Sequence, residues 1–371
     1  MMSIQTESRQ ALRELIALLQ EADERWAGPE WNLASAEDVA GAHRALMHML
    51  EGGLVGMFES DPAHPQFRRI VTPSRKFTGD NADAIYFDAP VSADHVYTVR
   101  GDMDGAVYVS ITLEVGTADG SLGSQTAGVI NDTMFDVDAA GNFTIRLGGA
   151  PAARNWLALP AGVSRITTRH YYEEARTAAD DPARGPRLAI TADDVSAPPA
   201  PAGDAEVAAG IRRAAQFVRS RTLLQPPMTQ REPPAFLSLV PNQFVAPVPP
   251  GDMGLAAFDA YYSMAPFFLG PDQALVMTGR WPECRFANVS LWNRFQQTLD
   301  YANRSVSLNR RQTQPQADGS FRIVLAHSDP GCPNWLDTEG RAFGLVFWRY
   351  FLPAGPVETP RAELVSLASL R

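Results

Sequence analysis

The chain has 371 residues, of which 45 % are hydrophobic, and it carries a formal net charge of −10 with an isoelectric point near 5.1. This length is sufficient for a substantial core and for two domains or one duplicated domain. The acidic balance without a basic arm argues against nucleic acid, and no apolar run reaches the ~18 residues of a membrane span. We therefore expect neither nucleic acid nor membrane as a partner.

The N-terminus and the cysteine content bear on the compartment. The first residues lack the basic start and apolar core of a secretory signal. Only Cys284 and Cys332 are present, which is too few for a disulfide framework. We expect a soluble, cytoplasmic protein.

The first predicted elements are helices. Leu12, Leu15, Ile16 and Leu19 have the spacing of one helical apolar stripe, and we assign residues 1–70 to an N-terminal helical segment.

The apolar period then changes to two. Val109, Ile111 and Leu113 alternate with polar residues, as in half-buried strands, and we expect residues 71–190 to form a first β-module.

A connector is expected at residues 191–265. "TADDVSAPPAPAGDAE" is rich in Pro, Ala and Asp, a helix pattern follows it, and eight prolines between Pro226 and Pro250 favour an extended crossover. "GLAAFDAYYSM" then suggests one more short helix. Residues 266–371 are expected to form a second β-module.

The two β-modules repeat each other. Gly101 aligns with Gly279, "AGNFTIRL" with "DGSFRIVL", and Arg169 with Arg349, while Asn-Trp-Leu occurs in both copies. Matches over about 75 residues indicate an internal duplication. The predicted fold class is mainly β with α additions (α+β): two homologous antiparallel β-modules packed as a sandwich, with an N-terminal helical segment and a helical, Pro-rich connector.

The repeated Asn-Trp-Leu loop has two interpretations. Trp335 beside Asn334 is most simply a structural plug of the module's open end, and a ligand-stacking role is the alternative. The second copy adds Asp337 and Arg341, where the first copy has "ALPAGV". If the copies diverged in function, we expect the chemistry in the second copy.

Several stretches resemble a known family. "DPAHPQFRR", "GDNADAIYFDAPV", "YTVRGDMDGAVYVSI", "DPGCPNWLDTEGR" and "FWRYFL" are similar to bacterial proteins of the domain of unknown function 1214 (DUF1214) family. The resemblance covers roughly residues 55–190 and 270–366, with Ala82 where a proline would be expected. It implies a β-rich fold with helical additions and no established activity.

The candidate site residues come from these patterns. Acids and a histidine can perform acid–base work without a cofactor, and arginines inside a β-module can clamp a carboxylate or phosphate or pair with an internal acid. The expected catalytic residues are Asp337, Arg349, His327 and Asp83, although an Asx-rich turn also explains Asp83. The expected ligand-binding residues are Asn334, Trp335, Arg341, Trp348, Arg169 and Tyr86.

No cofactor or metal is expected. The chain lacks a GxSxG elbow, a Gly-rich phosphate loop and a CxxC pair, and the turn chemistry of Asp-Pro-Gly accounts for "HSDPGC". The favoured hypothesis is a cofactor-independent enzyme or enzyme-like binder of a small organic molecule, with an apolar or aromatic body and a polar handle, in a cleft between the modules. The alternatives are a non-catalytic carbohydrate-binding sandwich, or an assembly protein whose helical N-terminus mediates homo-oligomers.

Overall fold

The computed structural model describes residues 4–123, 125–227, 230–251 and 254–370. Three α-helices pack together at one side of the molecule, with α3 against both α1 and α2. The N-caps Thr6 and Ser35 each accept a hydrogen bond from the backbone N–H three residues later, which fixes where α1 and α2 begin. The helices are α1 (Glu7–Arg25), α2 (Ala36–Gly53), extended by a π-helical turn (Leu54–Phe58), and α3 (Asp204–Arg221); 3-10 turns cover Pro29–Trp31, Ala178–Asp180 and Leu367–Leu370. None of the helices in the described residues is long and apolar enough to cross a bilayer.

The first module is a two-sheet sandwich. Its larger sheet has the order β1-β2-β8-β4-β5 and its smaller sheet the order β7-β6-β3-β9. The strands are β1 (Arg68–Arg69), β2 (Ala84–Pro90), β3 (Tyr97–Asp102), β4 (Tyr108–Val115), β5 (Gln125–Asn131), β6 (Asn142–Leu147), β7 (Trp156–Leu157), β8 (Val163–Tyr171) and β9 (Ala189–Ala192).

The second module repeats this topology. Its sheets have the orders β10-β16-β12-β13 and β15-β14-β11-β17, so each strand from β10 onward has a counterpart among β2–β9. The strands are β10 (Ala260–Phe268), β11 (Gln273–Gly279), β12 (Phe286–Trp292), β13 (Ser307–Asn309), β14 (Phe321–Ala326), β15 (Trp335–Asp337), β16 (Phe343–Phe351) and β17 (Arg361–Ser366). The predicted fold class, with its internal duplication, is confirmed.

A glycine–phenylalanine pair explains part of the repeat. Gly101 lies opposite Phe143, and Gly279 lies opposite Phe321. A Cβ atom on either glycine would approach the facing phenyl ring to 2.5 Å or 2.8 Å. Both copies therefore require glycine here, because the ring occupies the space of a side chain.

The larger sheet of the first module faces the sheet β10-β16-β12-β13 of the second module, which is called the larger sheet of that module below. Along β16, Val346, Trp348 and Tyr350 belong to the interior of the second module, whereas Phe347 and Phe351 pack with residues of the first module's larger sheet. Because side chains alternate along a strand, Arg349 lies on the same side as Phe347, between the modules.

The connector contributes a wall to the space between the larger sheets. Residues 236–248 of the connector run beside β10, held by bridges from Leu237 to Met264 and from Val248 to Tyr262. The Pro-rich crossover thereby covers the edge of β10, which would otherwise expose unpaired backbone groups.

The structure differs from three local expectations. "GLAAFDAYYSM" does not form a helix: from Ala260 onward it is strand β10, which pairs with β16 over nine residues, so tertiary pairing overrides the helical spacing. The expected start of the second module at residue 266 thus falls inside β10. In α1, Ala11, Leu18 and Ala22 are buried, whereas Leu12 and Ile16 are half exposed.

Candidate functional site

A cavity of about 530 Å³ lies between the larger sheets. This volume is typical of small-molecule sites. Its walls come from β2, β8, β10, β12 and β16, and the helical segment and the connector complete them. Ten of the described lining side chains are aromatic: Trp26, Trp31, Phe77, Tyr86, Tyr171, Phe236, Tyr262, Trp292, Phe295 and Phe347.

The duplication supplies this cavity with two tyrosine–arginine pairs. Tyr86 lies opposite Arg169 across β2 and β8, and Tyr262 lies opposite Arg349 across β10 and β16. All four residues line the cavity. Equivalent residues meet here because equivalent sheet faces are turned toward each other.

In the first module the arginine has an internal partner. Arg169 Nη2 forms an ion pair with Glu114 Oε1 at 3.9 Å, and the guanidinium donates hydrogen bonds to Thr112 Oγ1 at 2.5 Å and the Leu255 carbonyl at 2.9 Å. Glu114 also accepts hydrogen bonds from Thr112, Thr126 and the Leu255 N–H. The charge of Arg169 is therefore compensated within the protein.

In the second module the equivalent arginine has no such partner. Arg349 is 2 % exposed, and Nη2 donates to the carbonyls of Gly79 at 2.7 Å and Asp80 at 3.1 Å. Nη1 has no hydrogen-bond partner, and no described carboxylate oxygen lies within 4.0 Å of this side chain. Its guanidinium lies 4.3 Å from the ring centroid of Phe347 and 5.0 Å from that of Trp292.

One substitution between the copies explains the difference. Ser110 and Asn288 are the cross-strand partners of the two arginines on β4 and β12. Four residues later β4 carries Glu114, whereas β12 carries Trp292. The nearby carboxylate of Asp80 is committed elsewhere, because it accepts hydrogen bonds from the backbone N–H and Oγ1 of Thr298, and burial raises its pKa. The cavity thus contains a buried cation without an anionic partner.

The tyrosine hydroxyls add neutral hydrogen-bonding groups. Tyr86 Oη and Tyr171 Oη are 3.1 Å apart, whereas the hydroxyl of Tyr262 has no hydrogen-bond partner among the described residues. Burial raises the pKa of both Tyr86 and Tyr262, so these phenols stay protonated at neutral pH.

Of the residues expected from the sequence, Tyr86, Arg169 and Arg349 line the cavity and the other seven do not. Trp348 points the opposite way along β16 and stacks on Phe321 inside the second module, with ring centroids 5.2 Å apart. The remaining six belong to the outer part of the second module or to a separate polar cluster.

The Asn-Trp-Leu loop of the second module lies on the smaller sheet, away from the first module. Asn334 adopts φ 60°, and its amide donates to the carbonyls of Gln314 and Arg322. Trp335 Nε1 donates to the Ala326 carbonyl at 3.1 Å. The first copy has the same arrangement, with Asn155 at φ 57° and Trp156 Nε1 bonded to the Gly148 carbonyl.

The polar residues near this loop have local partners. Asp337 accepts a hydrogen bond from Arg304 at 2.7 Å, and Arg341 donates to Glu339 at 3.1 Å. His327 Nδ1 lies 2.6 Å from Thr338 Oγ1. Within the described ranges, no group of three or more His, Cys, Asp or Glu side chains is arranged to hold a metal ion.

Asp83 belongs to a buried network between the modules. Its carboxylate accepts hydrogen bonds from Asn288 at 2.8 Å, Asn309 at 3.0 Å and Ser307 at 3.2 Å. Burial raises its pKa to about 6, against the opposing effect of these donors. This network attaches the segment before β2 to β12 and β13.

Sequence reasoning did not find Tyr262, Trp292 or Phe347. Tyr262 could not be recognised as the counterpart of Tyr86, because its segment was expected to form a helix. A strand assignment for "AYYSMAPFF" would have aligned Tyr262 with Tyr86, since each lies opposite the repeated arginine.

One comparison with a solved structure supports this fold. An uncharacterised protein from Burkholderia cenocepacia of known structure is 26 % identical, with a TM-score of 0.83 over 97 % of this chain and 98 % of that chain. A protein from Vibrio parahaemolyticus is 12 % identical, with a TM-score of 0.49 over 86 % of this chain and 99 % of its own. No curated protein matches significantly. Residues 274–354, within the second module, match the family described as protein of unknown function (DUF1214), which confirms the resemblance inferred from the sequence for this part of the chain.

Proposed function

We propose that this protein binds a small organic anion with an aromatic or apolar body in the cavity between its two modules. The anionic group of the ligand bonds to Arg349, and the body lies against the aromatic walls. The observation that carries this proposal is the buried guanidinium of Arg349, which has no carboxylate partner among the described residues and borders a cavity of ligand size.

Electrostatics favour an anionic ligand. A buried charge is costly unless it is paired, and arginine bonds a carboxylate through two parallel hydrogen bonds. In the first module Glu114 supplies that partner from within the chain. In the second module Trp292 stands where the first module has Glu114, so the anionic partner of Arg349 would come from a bound ligand. The Tyr262 hydroxyl, which has no hydrogen-bond partner among the described residues, offers the ligand a further donor.

Binding is better supported than catalysis. Among the described lining residues, the carboxylates are Asp80 and Glu232. Asp80 is held by Thr298, and Glu232 is exposed. The acids and histidine expected to be catalytic lie outside the cavity, so the described lining residues give a cofactor-independent reaction less support than binding.

The other hypotheses receive less support. A carbohydrate-binding sandwich would present exposed indoles, whereas all seven tryptophans are buried or half-buried. The half-exposed Leu12 and Ile16 on α1 are compatible with a homo-oligomer contact, which analytical ultracentrifugation of the purified protein tests. A cytoplasmic location remains our proposal, and cell fractionation tests it.

The test is calorimetric titration with 1-naphthoate and 4-phenylbutyrate, each compared with its neutral amide. The carboxylates should bind at least tenfold more tightly than the amides, since a hydrogen bond to a charged group contributes about 1.5–3 kcal/mol. Arg349→Gln should abolish that difference, Arg349→Lys should retain part of it, and Arg341→Gln, outside the cavity, should leave it unchanged. Equal affinity for acids and amides, or full carboxylate affinity in Arg349→Gln, would refute the proposal.

A further inference from the structure

A second buried arginine borders the same cavity. Arg221, the last residue of α3, is 7 % exposed and lines the cavity. Its Nη1 donates to the Phe217 carbonyl at 3.4 Å and Ser220 Oγ at 3.1 Å, which caps the end of the helix. Nε has no hydrogen-bond partner, none of the described residues bonds Nη2, and no described carboxylate oxygen lies within 4.0 Å. The Nε and Nη2 groups of this guanidinium are therefore available to donate hydrogen bonds to a ligand.

Around Arg221, positive charges outnumber negative charges. Asp88 is the acid near it, but Asp88 is paired with Arg165, with Nη2 and Oδ2 2.7 Å apart. One carboxylate thus faces two guanidinium groups. Burial, and then the repulsion by Arg165, lower the pKa of Arg221, and an added anion would remove this unfavourable balance.

The two unpaired arginines share one wall of the cavity. The Arg221 guanidinium lies 5.0 Å from the ring centroid of Phe77, which lines the cavity. Two residues further along the chain, the Gly79 carbonyl accepts the hydrogen bond from Arg349. Two residues span at most about 7 Å, so one short segment, residues 77–79, connects the surroundings of both cations.

From this arrangement we propose that the ligand is a dianion, with an aromatic or apolar body that separates one anionic group at Arg349 from a second at Arg221. This inference rests on the proposed function and specifies the ligand class of the same cavity. A rigid body is favoured, because a preorganised spacer loses little entropy when both ends bind.

The experiment compares aromatic dicarboxylates with their monomethyl esters by calorimetry. The series terephthalate, 4-carboxycinnamate and biphenyl-4,4′-dicarboxylate varies the distance between the charges. At the best distance the dicarboxylate should bind at least tenfold more tightly than its monoester. Arg221→Gln should abolish that gain and leave monoester affinity within twofold, and Arg212→Gln, on the exposed side of the same helix, should change neither.

The outcomes separate this inference from the function on which it rests. If monoesters bind in an Arg349-dependent manner but the second carboxylate adds less than threefold at every distance, the dianion is refuted and the proposed function remains. If neither form binds, both fail. Should Arg221→Gln not fold, as judged by circular dichroism, the comparison of ligands on the wild-type protein and on Arg221→Lys still decides the question.

Discussion

Replacing Trp292 by glutamate should give the second module the internal carboxylate of the first. Trp292 occupies the position that corresponds to Glu114, and its ring centroid lies 5.0 Å from the Arg349 guanidinium. A glutamate there would compete with the ligand for the same cation. We therefore expect Trp292→Glu to lose affinity for aromatic carboxylates.

Trp292→Gln is the matched control for this change. Both variants lose the indole and its hydrogen bond from Nε1 to the Asp80 carbonyl, so these costs cancel when the two are compared. What remains is the charge-assisted pairing of glutamate with Arg349, which contributes about 1.5–3 kcal/mol. The glutamate variant should accordingly bind the carboxylate about 10- to 150-fold more weakly than the glutamine variant.

The same pair of variants predicts a pH dependence of stability. A glutamate paired with Arg349 has a folded-state pKa below its unfolded value, so its contribution is complete above the unfolded value of about 4.3 and is lost as the pH falls through the folded one. Urea unfolding should find Trp292→Glu more stable than Trp292→Gln at pH 7, with the difference shrinking below about pH 4 and vanishing at about pH 1 to 2. Equal carboxylate affinity and equal stability of both variants at pH 7 would refute the assignment of Arg349 as an unpaired cation.

Three further predictions follow from buried contacts. Glu114→Gln should lower the free energy of unfolding by about 3 kcal/mol in urea titrations, because it leaves Arg169 buried without its carboxylate; a loss below 1 kcal/mol would contradict that pairing. Burial raises the pKa of Asp83 to about 6 from 3.8, so the folded state holds its proton more strongly, and the wild-type free energy of unfolding should fall by about 3 kcal/mol between about pH 3 and pH 7. Asp83→Asn should remove this part of the slope, and an unchanged slope would exclude Asp83 as its source. Trp335→Phe should lower the free energy of unfolding by about 1 kcal/mol, because the hydrogen bond to the Ala326 carbonyl is lost, and it should leave ligand affinity unchanged. Weaker ligand binding by this variant in calorimetry would indicate that the ligand contacts the Asn-Trp-Leu loop.

The duplicated fold could be predicted because its repeat rests on local chemistry. Gly101 and Gly279 must lack a side chain opposite a phenylalanine, and Asn155 and Asn334 both adopt a left-handed backbone. Such requirements select the same residue type at the same place in each copy. They are therefore visible in the sequence without knowledge of the packing.

The site was only partly predictable, because a sequence reveals charges but not their partners. The polar residues after Trp335 suggested chemistry, yet Asp337 is paired with Arg304 and Arg341 with Glu339. Arg349 looks no different from Arg169 in the sequence, and only the packing reveals which of the two lacks a carboxylate. The facing sheets bring both arginines to one cavity.

Duplication within one chain allows the two halves of this cavity to differ, which two identical subunits cannot do. The first module has Asp88 paired with Arg165 and Glu114 beside Arg169. At the positions that correspond to Asp88, Arg165 and Glu114 in the strand pairing, the second module has Met264, Leu345 and Trp292. One half thus neutralises its own charges, while the other provides apolar walls around a cation that remains unpaired. In a symmetric dimer both arginines would be paired with a carboxylate, or both would lack one. The duplicated chain can instead pair the arginine of one half internally and leave the arginine of the other half to bind a ligand.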